Sequence, residues 1–398
     1  MGRLNLRLLA CLALVVLGVL ALAACGGSSS SDSTGSSGSS TEAEPEAGGG
    51  ETGGEESEGG GDLAAAEAAV EKAEAPAKLN LPSEPLEMKK NAGKLVYYIA
   101  PSLQIPFVAE LAKAAEAAGK AADIKVVTID GKGKADVFNQ GVETAIAQNA
   151  DGIILQAIDP AIVSGPLQQA KQKGISVVDI FNRGPKTPLP PTVGAQITLD
   201  YPQSGRTMAN FIAADSGGDA KVGVVTWGIY EIYKEMLPAF EEELEKNCPD
   251  CELEAVKDVS PTGPATELQN VTTQMLRQYP DMDYVAPVSD ALGMQMLPAV
   301  EAAGREVKIV SADGQAAALE AVEEGPPFAA DVSDPPLESV GWSAMDQVGR
   351  LMAGAKPSEQ DADLPTQLFT EGEVPPIEER WPGFENYEAE FLQLWGLK

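Results

Sequence analysis

From Leu95 onward, short apolar runs of four to six residues alternate with stretches whose apolar positions recur every three or four residues. The first pattern reads as buried strand, the second as amphipathic helix. Leu95–Ile99 opens the series. Phe107, Leu111, Ala114, Ala115 and Ala118 follow at helical spacing, with Gly119 as the expected stop. Ile124–Ile129, Gly152–Leu155 and Ile175–Ile180 are the next strands. A helix through Phe138, Val142, Ala145 and Ile146 separates the first two, and a second ends at Gly174. The start of that second helix is open, because Pro160 and Pro166 both suit a first turn. The pattern then restarts. Strands are predicted at 222–226, 252–256, 284–286 and 308–311, and helices at 231–246, 265–278, 291–303 and 315–324. Two successive sets of strand–helix units predict an α/β fold with two parallel sheets and right-handed crossovers. Uninterrupted apolar strands fit sheets covered on both faces.

Upstream the pattern is different. Arg3 and Arg7 precede an apolar run of 15 residues, Leu8–Leu22, and Leu22-Ala23-Ala24-Cys25-Gly26 follows. Small residues leading into a cysteine resemble the lipobox of bacterial lipoproteins. Residues 1–24 are therefore expected to be a signal peptide, with Cys25 as the lipidated new N-terminus. The run is short for a membrane-spanning helix, which needs about 20 apolar residues. Residues 25–62 form a Ser/Gly-rich tether. After Cys25 it carries nine acids and no Lys or Arg, and such a composition cannot bury enough apolar surface to fold. A flexible coil of this length spans about 35 Å. Residues 63–91 read as a helical, then extended, lead-in: Leu63–Ala75 is rich in Ala and Glu, and Pro76, Pro82 and Pro85 keep the rest from continuing as helix.

Composition narrows the chemistry. The 398 residues carry a formal net charge of -32 and no histidine. Histidine-based triads, bases and metal sites are excluded. So large an acidic excess opposes nucleic-acid binding, which needs clustered Lys and Arg, and opposes adsorption to anionic lipid heads. No metal or cofactor is expected.

In open parallel sheets, ligands collect at the carboxyl ends of the strands. The residues there are Ser102, Gln104 and Phe107 after the first strand, Gln156 after the third, and Phe181, Asn182 and Arg183 after the fourth. In the second half they are Trp227 and Tyr230, then Ser289 and Asp290, then Asp313 and Gln315. Amides, aromatics, one Arg and several Asp suit a polyhydroxylated solute. Arg donates in a fork, Asp accepts hydroxyl hydrogens, and an aromatic face packs on C–H groups. Taken singly, each residue reads equally as a cap, a turn or core: Asp290 and Asp313 could be N-caps, and Trp227 and Phe107 core. Their convergence on one edge is what points to a site.

Residues 92–366 resemble the type I periplasmic solute-binding proteins, the ribose- and galactose-type components of ABC importers. The motifs that carry the resemblance are Ser102-Leu103-Gln104-Ile105-Pro106-Phe107, Phe181-Asn182-Arg183, Ser289-Asp290 and Ser311-Ala312-Asp313-Gly314, in that order. The resemblance implies two Rossmann-like lobes joined by a three-crossing hinge, near Thr198–Asp200, Asp334–Pro336 and Lys356–Thr366. Lobe 1 would be 92–198 plus 335–357, and lobe 2 would be 199–334 plus 366–398. Ligand would bind between the lobes and favour their closure. Carried over residue by residue, Phe107, Asn182, Arg183, Asp313 and Asp334 fall on ligand-contacting positions. With Gln104, Trp227, Ser289 and Asp290 they make the expected binding set. Asn182 replaces a usual Asp, Asp334 a usual Gln and Ser289 a usual Asn, and an Arg often found near Met236 is absent. These departures leave the solute class open.

The implied protein is a monomeric, extracytoplasmic, lipid-anchored binder without enzymatic activity. It would capture a sugar or polyol and deliver it to the transmembrane subunits of an ABC permease. The same fold would serve a lipoprotein that presents its closed form to a membrane receptor. Acid pairs are numerous enough that a two-carboxylate glycosidase also stays open on residue counts alone. Cys248-Pro249-Asp250-Cys251 lacks further ligands for zinc and follows a helix, so a small structural disulfide is expected. Tyr387, Phe391, Leu394 and Trp395 lie at helical spacing and predict a C-terminal helix packed on the body.

Overall fold

A computed structural model describes residues 62–398 except 79, 262, 335, 359–363, 377–383 and 385. The expected signal peptide, Cys25 and the tether up to residue 61 lie outside the described residues.

The first sheet comprises β1 (Leu95–Ala100), β2 (Lys125–Asp130), β3 (Gly152–Gln156), β4 (Ser176–Ile180) and β5 (Ala195–Ile197), in the order β2-β1-β3-β4-β5 and all parallel. Helices α2 (Pro106–Ala121), α3 (Ala135–Ala147) and α4 (Ser164–Gln172) connect its strands. The second sheet holds β6 (Lys221–Thr226), β7 (Glu252–Asp258), β8 (Tyr284–Pro287), β9 (Lys308–Ala312), β10 (Phe328–Ser333) and β11 (Gln367–Thr370). Its order is β11-β10-β9-β8-β6-β7, parallel except for the antiparallel β10–β11 pair. Helices α6 (Glu231–Asn247), α7 (Ala265–Gln278), α8 (Asp290–Glu301) and α9 (Ala316–Glu324) connect it. Both sheets thus repeat one winding, with the strand order reversing beside β1 in one and beside β6 in the other. Central strands such as β3 and β8 are buried throughout, whereas the edge strands β2 and β7 are partly exposed, as covered parallel sheets require.

The chain passes to the second sheet between β5 and α5 (Tyr201–Ser216). It returns between β10 and α10 (Leu337–Met352), and leaves again between α10 and β11. Two of these passages touch, because Leu364 N–H donates to Thr198 O at 2.9 Å.

Gly119 does not stop α2. It lies inside the helix, where a Cβ would come within 2.4 Å of Val126 Cγ2. Its lack of a side chain lets α2 lie close on β2. Two helices depart from a simple apolar-in, polar-out pattern. α10 carries an apolar stripe through Leu337, Val340, Ala344 and Val348, but its polar stripe, Ser339, Ser343, Asp346 and Arg350, is buried as well. α5 buries Ser204, Thr207 and Asn210; Asn210 donates to Glu243 and accepts from Asn247 across α6, so polar residues share its buried face with Met208, Phe211 and Ile212. β5, β10 and β11 are short or lie at a passage between the sheets.

The lead-in and the tail pack on different bodies. α1 (Leu63–Glu74) lies on α5 and β11. Further on, Met88 is buried where a Cβ on Gly349 would meet its Cε at 2.7 Å. α11 (Tyr387–Leu394) packs on α10, with Trp342 and Trp395 stacked at 5.1 Å and 13°. The placement of residues 366–398 wholly with lobe 2 is therefore corrected: β11 extends the second sheet, but the tail from Tyr387 covers the helix that packs on the first. The reason is a buried polar anchor. Trp395 Nε1 donates to Asp346 at 2.7 Å, and Arg350 joins Asp346 to the carbonyl of Glu84. Cys248 and Cys251 are joined as a disulfide at the end of α6, with Cα atoms 5.3 Å apart.

Candidate functional site

A cleft with about 600 Å³ of empty space, counted to its mouth, opens between the carboxyl ends of the two sheets. Strand ends build it. Pro101 follows β1 and Gln156 ends β3; Trp227 follows β6 and Ser289 follows β8. These pairs flank the two points at which strand order reverses, where crevices form in open α/β sheets.

Three non-glycine residues with left-handed backbone follow strand ends here: Ala157 (φ 45°), Phe181 (φ 53°) and Asp313 (φ 127°). All three line the cleft. Such backbone costs about 1–3 kcal/mol and persists where surrounding structure enforces it, commonly at ligand sites. After Asp313, Gly314 sits so close to β10 that a Cβ would lie 2.7 Å from that of Ser333.

Aromatic rings run continuously through the cleft. Phe107 meets Phe181 at 5.7 Å, Phe181 meets Tyr201 at 6.4 Å, and Tyr201 meets Tyr233 at 6.4 Å. Tyr233 in turn meets Trp227 at 6.2 Å and Tyr230 at 6.1 Å. The chain of rings joins side chains from both sheets' ends. Polar groups are set among them. Ser289 Oγ donates to Asp313 Oδ2 at 2.6 Å. The Gln156 amide is fully buried and neither of its side-chain polar atoms has a protein partner; nor does Trp227 Nε1. Groups left this way inside a cleft are the ones a solute would satisfy. Burial raises the pKa of the Tyr201 and Tyr233 phenols, and the neighbouring Asp313 and Asp334 carboxylates raise it further, so both stay protonated donors. Glu235 on α6 accepts from Gly184 N–H at 2.8 Å and Thr187 Oγ1 at 2.9 Å, tying the loop after β4 to the second lobe.

Of the nine residues expected from sequence, Phe107, Trp227, Ser289, Asp313 and Asp334 line the cleft. Four do not. Gln104 is exposed beside α2. Asn182 and Arg183 turn to Asp179: Asn182 Nδ2 lies 3.4 Å from its Oδ2, and Arg183 Nε lies 3.3 Å away. A buried carboxylate draws these donors, while the left-handed turn at Phe181 sends that ring into the cleft. Asp290 is fully buried and accepts from Ser311 Oγ and from Gln315 N–H at 2.7 Å. It braces the β9–α9 loop behind the site. Burial pushes its carboxyl well up, as does Asp331 beside it. Ser289, not Asp290, caps α8. Tyr201 and Tyr233 went unread. Tyr233 had a signal in the aromatic density of Trp227, Tyr230 and Tyr233; Tyr201 had none. Among the described residues, no group of three or more acidic or cysteine side chains is placed to hold a metal ion.

Arg183 tests the corrected site. Arg183→Ala should leave solute affinity within about threefold of wild type while lowering the melting temperature, because buried charged hydrogen bonds contribute about 1.5–3 kcal/mol. Loss of binding at an unchanged melting temperature would return Arg183 to the cleft.

Burial also pushes the Asp179 carboxyl from 3.8 to about 7, against the opposing pull of Arg183 and Asn182. The folded protein then holds this proton more tightly than the unfolded chain. Its contribution to stability is complete below pH 3.8 and is lost as pH rises towards about 7. Asp179→Asn should flatten the decline of melting temperature across that window. Asp290 keeps part of the slope, since its shift has the same sign. A slope identical to wild type would sink the assignment.

Residues 96–356 match the family described as periplasmic binding protein domain. The chain belongs to that family. Among curated periplasmic binding proteins it is 24% identical over 275 residues to the ribose import binding protein RbsB of Bacillus subtilis (strain 168), covering 68% of this chain and 85% of that protein. Two solved structures share the fold. A sugar ABC transporter protein from Yersinia enterocolitica superposes with a TM-score of 0.65 at 18% identity, over 80% of this chain and 98% of the other. An ABC transporter solute-binding protein from Agrobacterium vitis, with bound allitol, gives 0.60 at 22%, over 71% and 96%. The two-lobed periplasmic binding protein architecture implied by the sequence motifs is thus the architecture of the molecule.

Proposed function

We propose that this protein is the solute-binding component of an ABC importer, held outside the cytoplasm by a lipid on Cys25. It captures a sugar or polyol between its lobes and hands it unchanged to the permease. The observation that carries this reading is the cleft itself: rings from both lobes line it, and the buried Gln156 amide has no protein partner. Ring faces pack on the C–H surface of a carbohydrate, while amides, phenols and carboxylates meet its hydroxyls. The ribose import protein and the allitol-bound protein it resembles support the same solute class. Capture, closure and release suffice for this role, and ATP hydrolysis falls to separate subunits.

A thermal-shift panel of monosaccharides, polyols, sugar acids and amino acids tests it. A solute at a hundred times its dissociation constant adds about 2.7 kcal/mol of stability. A shift with sugars or polyols, with the solute recovered chemically intact, is the expected result. A shift confined to amino acids, or turnover of a glycoside, would overturn the reading. Membrane attachment that survives Cys25→Ala would overturn the anchor.

A further inference from the structure

The two walls of the cleft differ in kind. On the first sheet's side the lining is Pro101, Ile105, Phe107, Val108, Ala157 and Phe181, with Gln156 as the one polar side chain among the described lining residues. The polar groups that sequence placed there point elsewhere: Gln104 is exposed, and Asn182 and Arg183 lie 3.4 Å and 3.3 Å from Asp179. In their stead the left-handed turn at Phe181 (φ 53°) delivers a ring, although such backbone is costly and persists only where the structure enforces it. Ile105 and Phe107 are half-buried, so apolar surface is left for a solute to cover. On the second sheet's side, Ser289, Asp313, Gln315 and Asp334 follow strand ends, near the phenols of Tyr201 and Tyr233. A plain sugar carries hydroxyls around its whole rim, so they meet both walls. Against the first wall, a hydroxyl beyond the reach of Gln156 gives up water and finds no side-chain partner, which opposes binding. An alkyl or aryl group in that place gains from burial instead. The unpartnered Gln156 amide and Trp227 Nε1 remain for hydroxyls.

We propose that the solute is a sugar with an apolar substituent, an alkyl or aryl group packed against Ile105, Phe107, Val108 and Phe181, its hydroxyls turned to Gln156, Trp227 and the polar strand ends of the second sheet. The inference rests on the sugar-or-polyol reading above and names the class within it.

Calorimetry on the purified protein, with matched pairs, tests it: phenyl β-D-glucoside against glucose, phenyl β-D-galactoside against galactose, and 5-deoxyribose against ribose. In at least one pair the more apolar member should bind ~10-fold or more tightly than its parent. Phe107→Ala should cut that ratio about threefold or more, because the substituent loses part of the surface that covers it. Ile105→Ala serves as the second variant should the first melt too low to assay. Parents that bind as tightly as their apolar counterparts would overturn this inference and leave the sugar-or-polyol reading standing. A preference that survives both substitutions would overturn the assignment of the apolar group to this wall. No binding by any member would overturn both readings.

Discussion

Asp313→Ala is expected to weaken solute binding by about two orders of magnitude or more, with little change in melting temperature. The carboxylate lines the cleft and accepts from Ser289 Oγ at 2.6 Å. Its backbone sits at φ 127° next to Gly314, which passes tightly against β10, and the Ser289 bond positions the carboxylate before solute arrives. A hydrogen bond to a charged group contributes about 1.5–3 kcal/mol, and a carboxylate that accepts two from a solute is therefore worth several. Each 1.4 kcal/mol is a tenfold change in affinity. Alanine also leaves Ser289 without its acceptor, but a hydroxyl can turn to water in a wet cleft. Asp313→Asn keeps the shape and loses the charge, and should fall between the two. Calorimetry with whichever solute the panel selects, alongside a melting curve, separates the outcomes. Affinity near wild type in the alanine variant would remove Asp313 from the site.

The second large effect is on stability. Trp395→Ala should cost about 3–5 kcal/mol, the usual range for truncating a fully buried Trp. The side chain is wholly buried and stacks on Trp342 with ring planes 13° apart. It also closes a polar network. Its Nε1–H reaches Asp346, which pairs with Arg350 at 2.5 Å, and Arg350 donates to Glu84 O at 2.8 Å. Leu86 N–H donates to Leu394 O at 2.9 Å beside it. Removing Trp395 opens a cavity and takes one donor from a buried carboxylate at the same time. Trp395→Phe keeps a stacking surface and loses only the N–H, so chemical denaturation should rank the variants wild type, Phe, Ala. Equal stability for Phe and Ala would show that packing makes no difference here. Equal stability for all three would show that the tail is not anchored as described.

Parts of the site were legible because one rule applied: strand carboxyl ends gather ligands. That rule reached Phe107, Trp227, Ser289 and Asp313, each of which follows a strand or opens the helix after it. It also reached Arg183, whose guanidinium turns to Asp179. Which way an arginine turns depends on the carboxylate nearest to it in space, and Asp179 became that partner because β4 buries it. Tyr201 illustrates the opposite failure. It begins α5, whose inner face carries Ser204, Thr207 and Asn210. Its apolar positions, Met208, Phe211 and Ile212, lie only in the second half of the helix, so its first turn, and the ring it delivers to the cleft, carried no signal. α10 does carry a stripe, Leu337, Val340, Ala344 and Val348, but the burial of its polar stripe, Asp346 and Arg350 included, has no local signal.

By itself, the sequence determined the two sets of strand–helix units, the parallel sheets and the edge at which a site would form. Those follow from local periodicity and from the handedness of the crossover, which need no knowledge of distant partners. Only the tertiary structure decided which polar side chains face the cleft, and that the tail from Tyr387 lies on α10 although β11 before it extends the second sheet. Each of these is settled by competition among groups far apart in the chain for a few buried partners. Asp179 draws Arg183, Asp346 draws Trp395 and Arg350, and Asp290 draws Ser311 and the Gln315 amide. Such competition is decided by burial, because a charge removed from water must find its partner within the protein.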